Sequence, residues 1–295
     1  MLPVEAREID HLVLPVESLD VARDRLSVLG FTVAPDARHP FGTENACVFF
    51  ADDTYLEPLG IGSREDCEAA ARLGNVFVAR YLAYRFRQGE GLSGVVVKTS
   101  DAASDDRRYR AEGLSAGDIL NFSRTMTLGD GSSFEASFRL AFAADLRAPD
   151  FLLFSCQRLN PLPADRGSLV VHKNGAVGLS RIVLVEENPS DFQYLLEMGL
   201  EQRAANAHSF GLPVEAANCQ LDILTPQGFV AHFSFGVAPR GRGLFGGAVV
   251  LAVGDLKVTE AYLTANAVAY QKIGARLVVP PSSGQGVVFA FEEKP

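Results

Sequence analysis

Four times along this chain an apolar run enters a segment of helical pattern that stops at a glycine: Val13 to Gly30, Val96 to Gly113, Val183 to Gly199 and Val250 to Gly274. A repeat of this kind constrains the fold more than any single motif. A unit of strand, helix and further strands leaves one sheet face bare, so units must pair, and four units predict two pairs. The fourth stretch is longer by about seven residues, close to two helical turns, which would keep the same helix face on its sheet. Glycine suits the residue just past a helix, where the chain turns left-handed.

The helices carry their own signals. In the first, Leu19, Ala22, Leu26 and Leu29 make one stripe, and Ser18 is placed to cap it. In the third, Phe192, Leu195, Leu196 and Gly199 form the stripe after the start signal Asn188-Pro189-Ser190. The second, Ala102 to Glu112, is rich in charge and has the weakest stripe. Strand patterns fall at Ala46 to Phe50, Phe134 to Phe142, Phe151 to Cys156, Cys219 to Leu224, Val230 to Phe235, Val249 to Val253 and Gly286 to Phe291. Gly129-Asp130-Gly131 reads as a hairpin turn between Met126 to Leu128 and the Phe134 strand. Turn residues from Asn160 to Gly167 mark a boundary, giving halves of 1–165 and 166–295 with two units each. Segment 62–91 lies between units one and two and is expected to be a helix on the sheet edge, with a lid as the alternative.

Composition removes several function classes. A net charge of −9 opposes a nucleic-acid partner, which calls for a basic stripe. No apolar run reaches the roughly 18 residues that span a membrane, and the acidic start does not resemble a secretory signal. Cys47, Cys67, Cys156 and Cys219 are scattered and read as reduced thiols in a cytoplasmic protein. P-loop, dinucleotide, nucleophile-elbow and zincin motifs are all missing. A small-molecule ligand is the expected partner, and a homodimer is allowed.

Two residues stand out as chemistry. His11 lies in the first apolar run and Glu57 in the last strand of the same unit, Thr54-Tyr55-Leu56-Glu57-Pro58-Leu59. An imidazole and a carboxylate on one sheet face could ligate a divalent cation and leave positions open for substrate oxygens. Set in register, the other units offer Gly94, Arg181 and Ala248 at the His11 position. They offer Gln157 and Glu292 at the Glu57 position, with no match in unit three. Arg181 is expected to pair with Glu186 or Asp222, and His208 and His232 are read as structural.

This first unit resembles a module of the vicinal oxygen chelate superfamily, which includes glyoxalase I, bleomycin-resistance proteins and extradiol dioxygenases. The segment Arg38-His39-Pro40-Phe41-Gly42-Thr43-Glu44-Asn45, followed by the Tyr-Leu-Glu run, is most similar to the glyoxalase-like domain of bacterial proteins. The resemblance implies an α+β fold of four βαβββ modules paired into two curved mixed sheets, as in glyoxalase and dihydroxybiphenyl dioxygenase. It implies a divalent metal (Zn, Ni, Mn or Fe) on His11 and Glu57. His172, in a His-x-Asn-Gly-Ala motif, is taken as the third ligand. His39 and Glu57 are the candidate catalytic groups, and Thr43, Asn45 and Gln157 the candidate substrate-binding groups. Lyase, isomerase and dioxygenase chemistry all fit, with a non-catalytic sequestering protein of the bleomycin-resistance type as the alternative.

Overall fold

The computed structural model describes residues 5–127, 133–160, 166–204, 207–236 and 242–294. Unit one comprises β1 (Ile9–Pro15), α1 (Leu19–Val28), β2 (Ala37–Arg38), β3 (Thr43–Asn45), β4 (Val48–Phe49) and β5 (Tyr55–Ile61). Helices α2 (Arg64–Arg72) and α3 (Val76–Gln88) follow. Unit two then runs through β6 (Gly94–Lys98), α4 (Ala102–Ala111), β7 (Leu120–Thr127), β8 (Ser133–Ala143) and β9 (Leu152–Arg158). Unit three is β10 (Ala176–Val185), α5 (Gln193–Leu200), β11 (Gly211–Glu215) and β12 (Gln220–Leu224), with α6 (Pro226–Phe233) after it. Unit four is β13 (Phe245–Val253), α7 (Leu256–Ala265), β14 (Gln271–Ile273), β15 (Arg276–Val279) and β16 (Val288–Glu293).

Units one and two share a curved mixed sheet in the order β2-β3-β5-β1-β6-β9-β8-β7, with β4 also on β5. Units three and four form a second in the order β11-β12-β10-β13-β16-β15-β14. The plans match. Each sheet's centre is an antiparallel pair, β1 with β6 and β10 with β13, flanked by parallel partners. The β7–β8 hairpin forms as expected, while its Gly129-Asp130-Gly131 turn lies outside the described residues.

One face of each sheet belongs to a common core. Leu12 and Leu14 of β1, Ile182 and Leu184 of β10, and helix residues Leu26, Tyr109, Leu196 and Leu263 are all buried in one cluster. The opposite face of the first sheet carries Val13, Val96, Phe154 and Cys156 and is covered by Phe77, Val78 and Tyr81 of α3. Segment 62–91 is therefore a helix pair lying across a sheet face, where the sequence pattern suggested the edge. Its anchor is apolar burial plus the Tyr81 hydroxyl, which donates to the Leu59 carbonyl at 3.2 Å.

Three local readings need correction. Residues 230–235 do not form a strand: Pro226 starts α6, Thr225 caps it, and Phe229 and Phe233 pack on the second sheet at helical spacing. Gly199 sits inside α5, which ends instead at Glu201 in a left-handed conformation. The extra length of the fourth repeat is the β14 strand, and Gly274 turns that hairpin rather than ending α7. The charge-rich α4 is a helix nonetheless, because Asp101 caps it and Ala102, Asp105 and Tyr109 are buried beneath it.

The common core makes the two halves interdependent. Arg7 donates to Leu200, Lys173 to Gly30, and Asn174 to Leu29, tying the halves at several points. A chain ending at residue 165 would expose Leu12, Leu14 and Leu153. Its expected behaviour is an insoluble or molten product. Soluble expression with a cooperative unfolding transition would show instead that the first half is self-sufficient.

Candidate active site on the first sheet

His11 faces away from the common core because β1 alternates, and the strand is buried throughout. A bulge between Ile9 and His11 breaks the alternation at Asp10. Two consecutive strand side chains, normally on opposite faces, can then bond: His11 Nδ1 lies 2.7 Å from Asp10 Oδ2. Asp10 is fully buried, and its other oxygen forms an ion pair with Arg158 at 2.6 Å. The arrangement fixes the imidazole and aims Nε2 at Glu57 Oε2, 3.5 Å away. Tyr55 stacks on the ring at 4.3 Å.

Glu57 comes from β5, where Val13 is its partner across the parallel pair. Its neighbour Pro58 has no N–H to give, and the strand beside it breaks there, between β3 and β4. Asn45 donates to Glu57 Oε1 at 2.5 Å. His39, in the loop after β2, has its Nδ1 at 2.9 Å from Thr43 Oγ1. Its Nε2 sits 3.8 Å from Glu57 Oε1. Two imidazoles thus flank one carboxylate. The carboxylate and both rings are about 95%, 95% and 92% buried, on relative exposures of 5%, 5% and 8%.

The electrostatics follow from that packing. Burial opposes ionisation of Glu57, but hydrogen bonds from His11 and Asn45 and the nearby imidazoles hold its carboxyl down to about 2. Burial also works against charge on His11, yet Asp10 and Glu57 together raise it. For His39, burial and then Arg124 outweigh the pull of Glu57 and push it down to about 3, so it stays neutral.

These groups open onto a cavity of about 30 Å³ walled by Phe41, Phe77, Phe122, Phe138 and Phe154, with Arg124 entering from β7. That is room for two or three water-sized groups. Sequence reasoning missed Asp10, Arg158 and Arg124. The first two depend on a bulge, and Arg124 sits on a strand whose facing could not be set without knowing its partner.

Other expected site residues lie elsewhere. Gln157 is on β9 between Cys156 and Arg158 and faces the common-core side, where it accepts from Ala102 N and donates to the Ser100 carbonyl. Parity, not distance, removes it: units one and two do pair, but Phe154 and Cys156 occupy the cavity face. His172 is on the seam between the halves, with Nδ1 accepting from Thr32 N and Nε2 facing the Phe49 carbonyl. Both ring nitrogens are engaged there, so it is no third ligand to His11 and Glu57. Thr43 and Asn45 do reach the cavity region, where their polar atoms hold His39 and Glu57. Glu292 belongs to the second sheet and pairs with Arg276.

The unit-three counterpart of Glu57 is Asp222. It is the strand partner of Val183 as Glu57 is of Val13, and Arg181 pairs with it at 2.5 Å. An ion pair thus takes the equivalent place in the second sheet, while Phe229 and Phe233 of α6 pack on that face. His232 rides on this helix rather than on a strand.

The donor set bears on a metal. Both Nδ1 atoms are tied down, leaving both Nε2 atoms toward Glu57. The 3.5 Å spacing of His11 and Glu57 is close to the roughly 3.4 Å that separates two ligands of a tetrahedral ion with bonds of about 2.1 Å. The third spacing is wider, and among the described residues no group of three or more His, Cys, Asp or Glu is placed to hold a metal ion as the side chains stand. Imidazole nitrogen and carboxylate oxygen are nonetheless donor types that suit a divalent cation.

A model of the glyoxalase-like domain matches residues 9–198. The chain belongs to the glyoxalase-like domain family. Solved structures agree on the vicinal oxygen chelate fold. A Staphylococcus aureus protein described as hypothetical aligns with TM-score 0.68 at 12% identity, over 97% of this chain and 99% of the other. A mutant of 4-hydroxymandelate synthase from Streptomyces coelicolor aligns with TM-score 0.62 at 12% identity, over 99% and 95%. The Mn(II)-bound glyoxalase from Novosphingobium aromaticivorans gives 0.51 at 11% identity, over 97% and 82%. No curated protein matches the sequence. Among the described residues no helix is long and apolar enough to cross a membrane.

Proposed function

We propose that this glyoxalase-like protein is an enzyme that takes a divalent cation on His11, His39 and Glu57 and acts on a small, oxygen-rich substrate in the adjoining cavity. The observation that carries this reading is the pair of imidazole Nε2 atoms flanking one buried carboxylate at 3.5 and 3.8 Å, each ring locked through its other nitrogen. His39 takes the place that the sequence motif gives to His172. When bound, the cation would polarise neighbouring substrate oxygens as a Lewis acid, the step shared by lyase, isomerase and dioxygenase chemistry.

The chain's own groups do the rest. Asp10 keeps a proton on His11 Nδ1 and so leaves Nε2 as a donor of electrons, and Thr43 steers His39 in the same way. Asn45 pins one oxygen of Glu57, which is the base placed to take a proton from the carbon beside the bound oxygens. The phenylalanine wall excludes water. Zn, Ni, Mn and Fe all accept two imidazoles and a carboxylate. The two halves, 1–165 and 166–295, divide the work: the first holds the site, and the second, with Arg181 on Asp222, supports it. Four buried, unpaired cysteines favour a cytoplasmic setting.

The test is metal content by inductively coupled plasma mass spectrometry on untagged protein, beside His11→Ala, His39→Ala and Glu57→Gln. About one ion per chain in the parent and a loss of at least tenfold in each variant is expected, since removing a ligand from a three-ligand site removes most of its affinity. A metal-free parent that still binds small molecules without turnover would establish the sequestering alternative, which the Phe-rich wall and the lack of a second ligand pair on unit two favour.

A further inference from the structure

We infer that Arg124 is the seat for the carboxylate of a small organic acid, so that the substrate class of this cavity is a short-chain carboxylate. The inference rests on the cavity being the ligand site but not on the metal. Several partly buried arginines elsewhere meet acids, Arg7 on Asp105 and Glu201, Arg158 on Asp10, Arg181 on Asp222 and Arg276 on Glu292, while Arg25 and Arg85 donate to the Gln285 amide oxygen and the Gly89 carbonyl. Arg124 is the arginine that lines the cavity. Among the described residues no carboxylate pairs with it. Its Nη1 donates to the neutral Asn45 Oδ1 at 3.2 Å, and its Nε is buried without a partner, as are those of Arg7, Arg158 and Arg181, whose outer nitrogens meet carboxylates.

That combination is costly unless something completes it, because a buried donor left unmade forfeits the solvation it gave up. Asn45 cannot supply more. Its amide nitrogen is committed to Glu57, which fixes its oxygen toward Arg124 and sets the guanidinium at the cavity wall. Phe138 lies 5.9 Å from the guanidinium carbon and stabilises the cation without neutralising it. A carboxylate is the group that matches a guanidinium fork through two parallel N–H bonds.

Charge and size narrow the class. Arg124 and Glu57 both line the cavity, and Glu57 is already engaged by Asn45 and His11, which leaves the guanidinium to receive an anion. The cavity of about 30 Å³ admits the carboxylate and little more before Phe77 of α3 intervenes. The ligand is then an acid of roughly two or three carbons, with the atoms next to its carboxylate directed at Glu57 and the two imidazoles.

The test is isothermal titration of acetate, propionate, butyrate, benzoate and acetamide into metal-stripped and Mn(II)-loaded protein, with Arg124→Gln and Arg124→Lys beside the parent. Short acids should bind and acetamide should not. Arg124→Gln should weaken acid binding by at least tenfold, the scale of a lost charge-assisted contact, with Arg124→Lys in between. Arg124→Lys also serves if the glutamine variant does not fold. Equal binding of acetate and acetamide, binding of benzoate alone, or unchanged affinity in Arg124→Gln would overturn the assignment. Acid binding by a parent that takes up no metal would sink the metal reading and leave this one standing. Metal uptake without acid binding would do the reverse.

Discussion

Asp10→Asn is expected to destabilise the protein by about 3–5 kcal/mol, the range found when one partner of a buried ion pair is removed. Asp10 is fully buried and serves two partners, the Arg158 guanidinium at 2.6 Å and the His11 ring at 2.7 Å. The amide keeps the shape and removes the charge, so the loss reports electrostatics rather than a cavity. Arg158 would be left mostly buried beside a neutral group, and His11 would lose the carboxylate that orients it. Denaturant unfolding of the parent, Asp10→Asn, Arg158→Met and the double variant closes the cycle. The double variant should recover part of the loss, because it no longer holds an unpaired guanidinium. A loss under about 1 kcal/mol in Asp10→Asn would mean the pair is solvated and that His11 is oriented by Tyr55 stacking alone.

The repeat was legible because strand, helix and glycine recur at nearly fixed spacing, and that spacing follows from how each unit covers its own sheet. His11 and Glu57 were legible for a related reason: an imidazole and a carboxylate in buried runs need partners, and each found the other. Facing was harder. Gln157 differs from Cys156 by one residue, and in a strand one residue is the difference between two faces. His172 carries a motif but spends both nitrogens on backbone at the seam, which only the packing of Thr32 and Phe49 reveals. Asp10 lay hidden because its contact with His11 needs a bulge. The α6 error is one of period: Phe229 and Phe233 are four apart on a helix, whereas Phe233 and Phe235 taken alone suggest the alternation of a strand.

The two sheets show what a duplicated unit can keep or surrender. In the first, His11 faces Glu57 across a cavity; in the second, Arg181 closes directly on Asp222 and α6 lays two phenylalanines on the same face. An arginine brings its own permanent charge to the carboxylate, so that position has no call for a cation from outside. The second half then contributes through the surface it shares with the first, and its value to the site is measured at the seam.

Gly246→Val tests that seam, with an expected cost at the upper end of the roughly 1–3 kcal/mol that overpacking brings. Gly246 lies on β13, and a Cβ there would come 2.4 Å from the Leu92 Cβ and 2.5 Å from the Leu92 carbonyl oxygen. The second contact matters more, because a backbone oxygen cannot swing aside as a side-chain end can. Nearby, Gly286 would press on the backbone of Gly91, so both chains of this contact are already at closest approach. Valine at residue 246 must therefore push β13 away from the segment that leads into β6. By contrast, a Cβ at Gly199 would meet the Leu153 methyls at 2.5 Å, which can rotate, and alanine restores helix propensity worth about 1 kcal/mol. Gly199→Ala should fall well below Gly246→Val in a denaturant series. Equal losses would show that the seam yields as readily at backbone as at side chain, and the second half would then be a loosely held neighbour instead of the wall on which the first sheet is set.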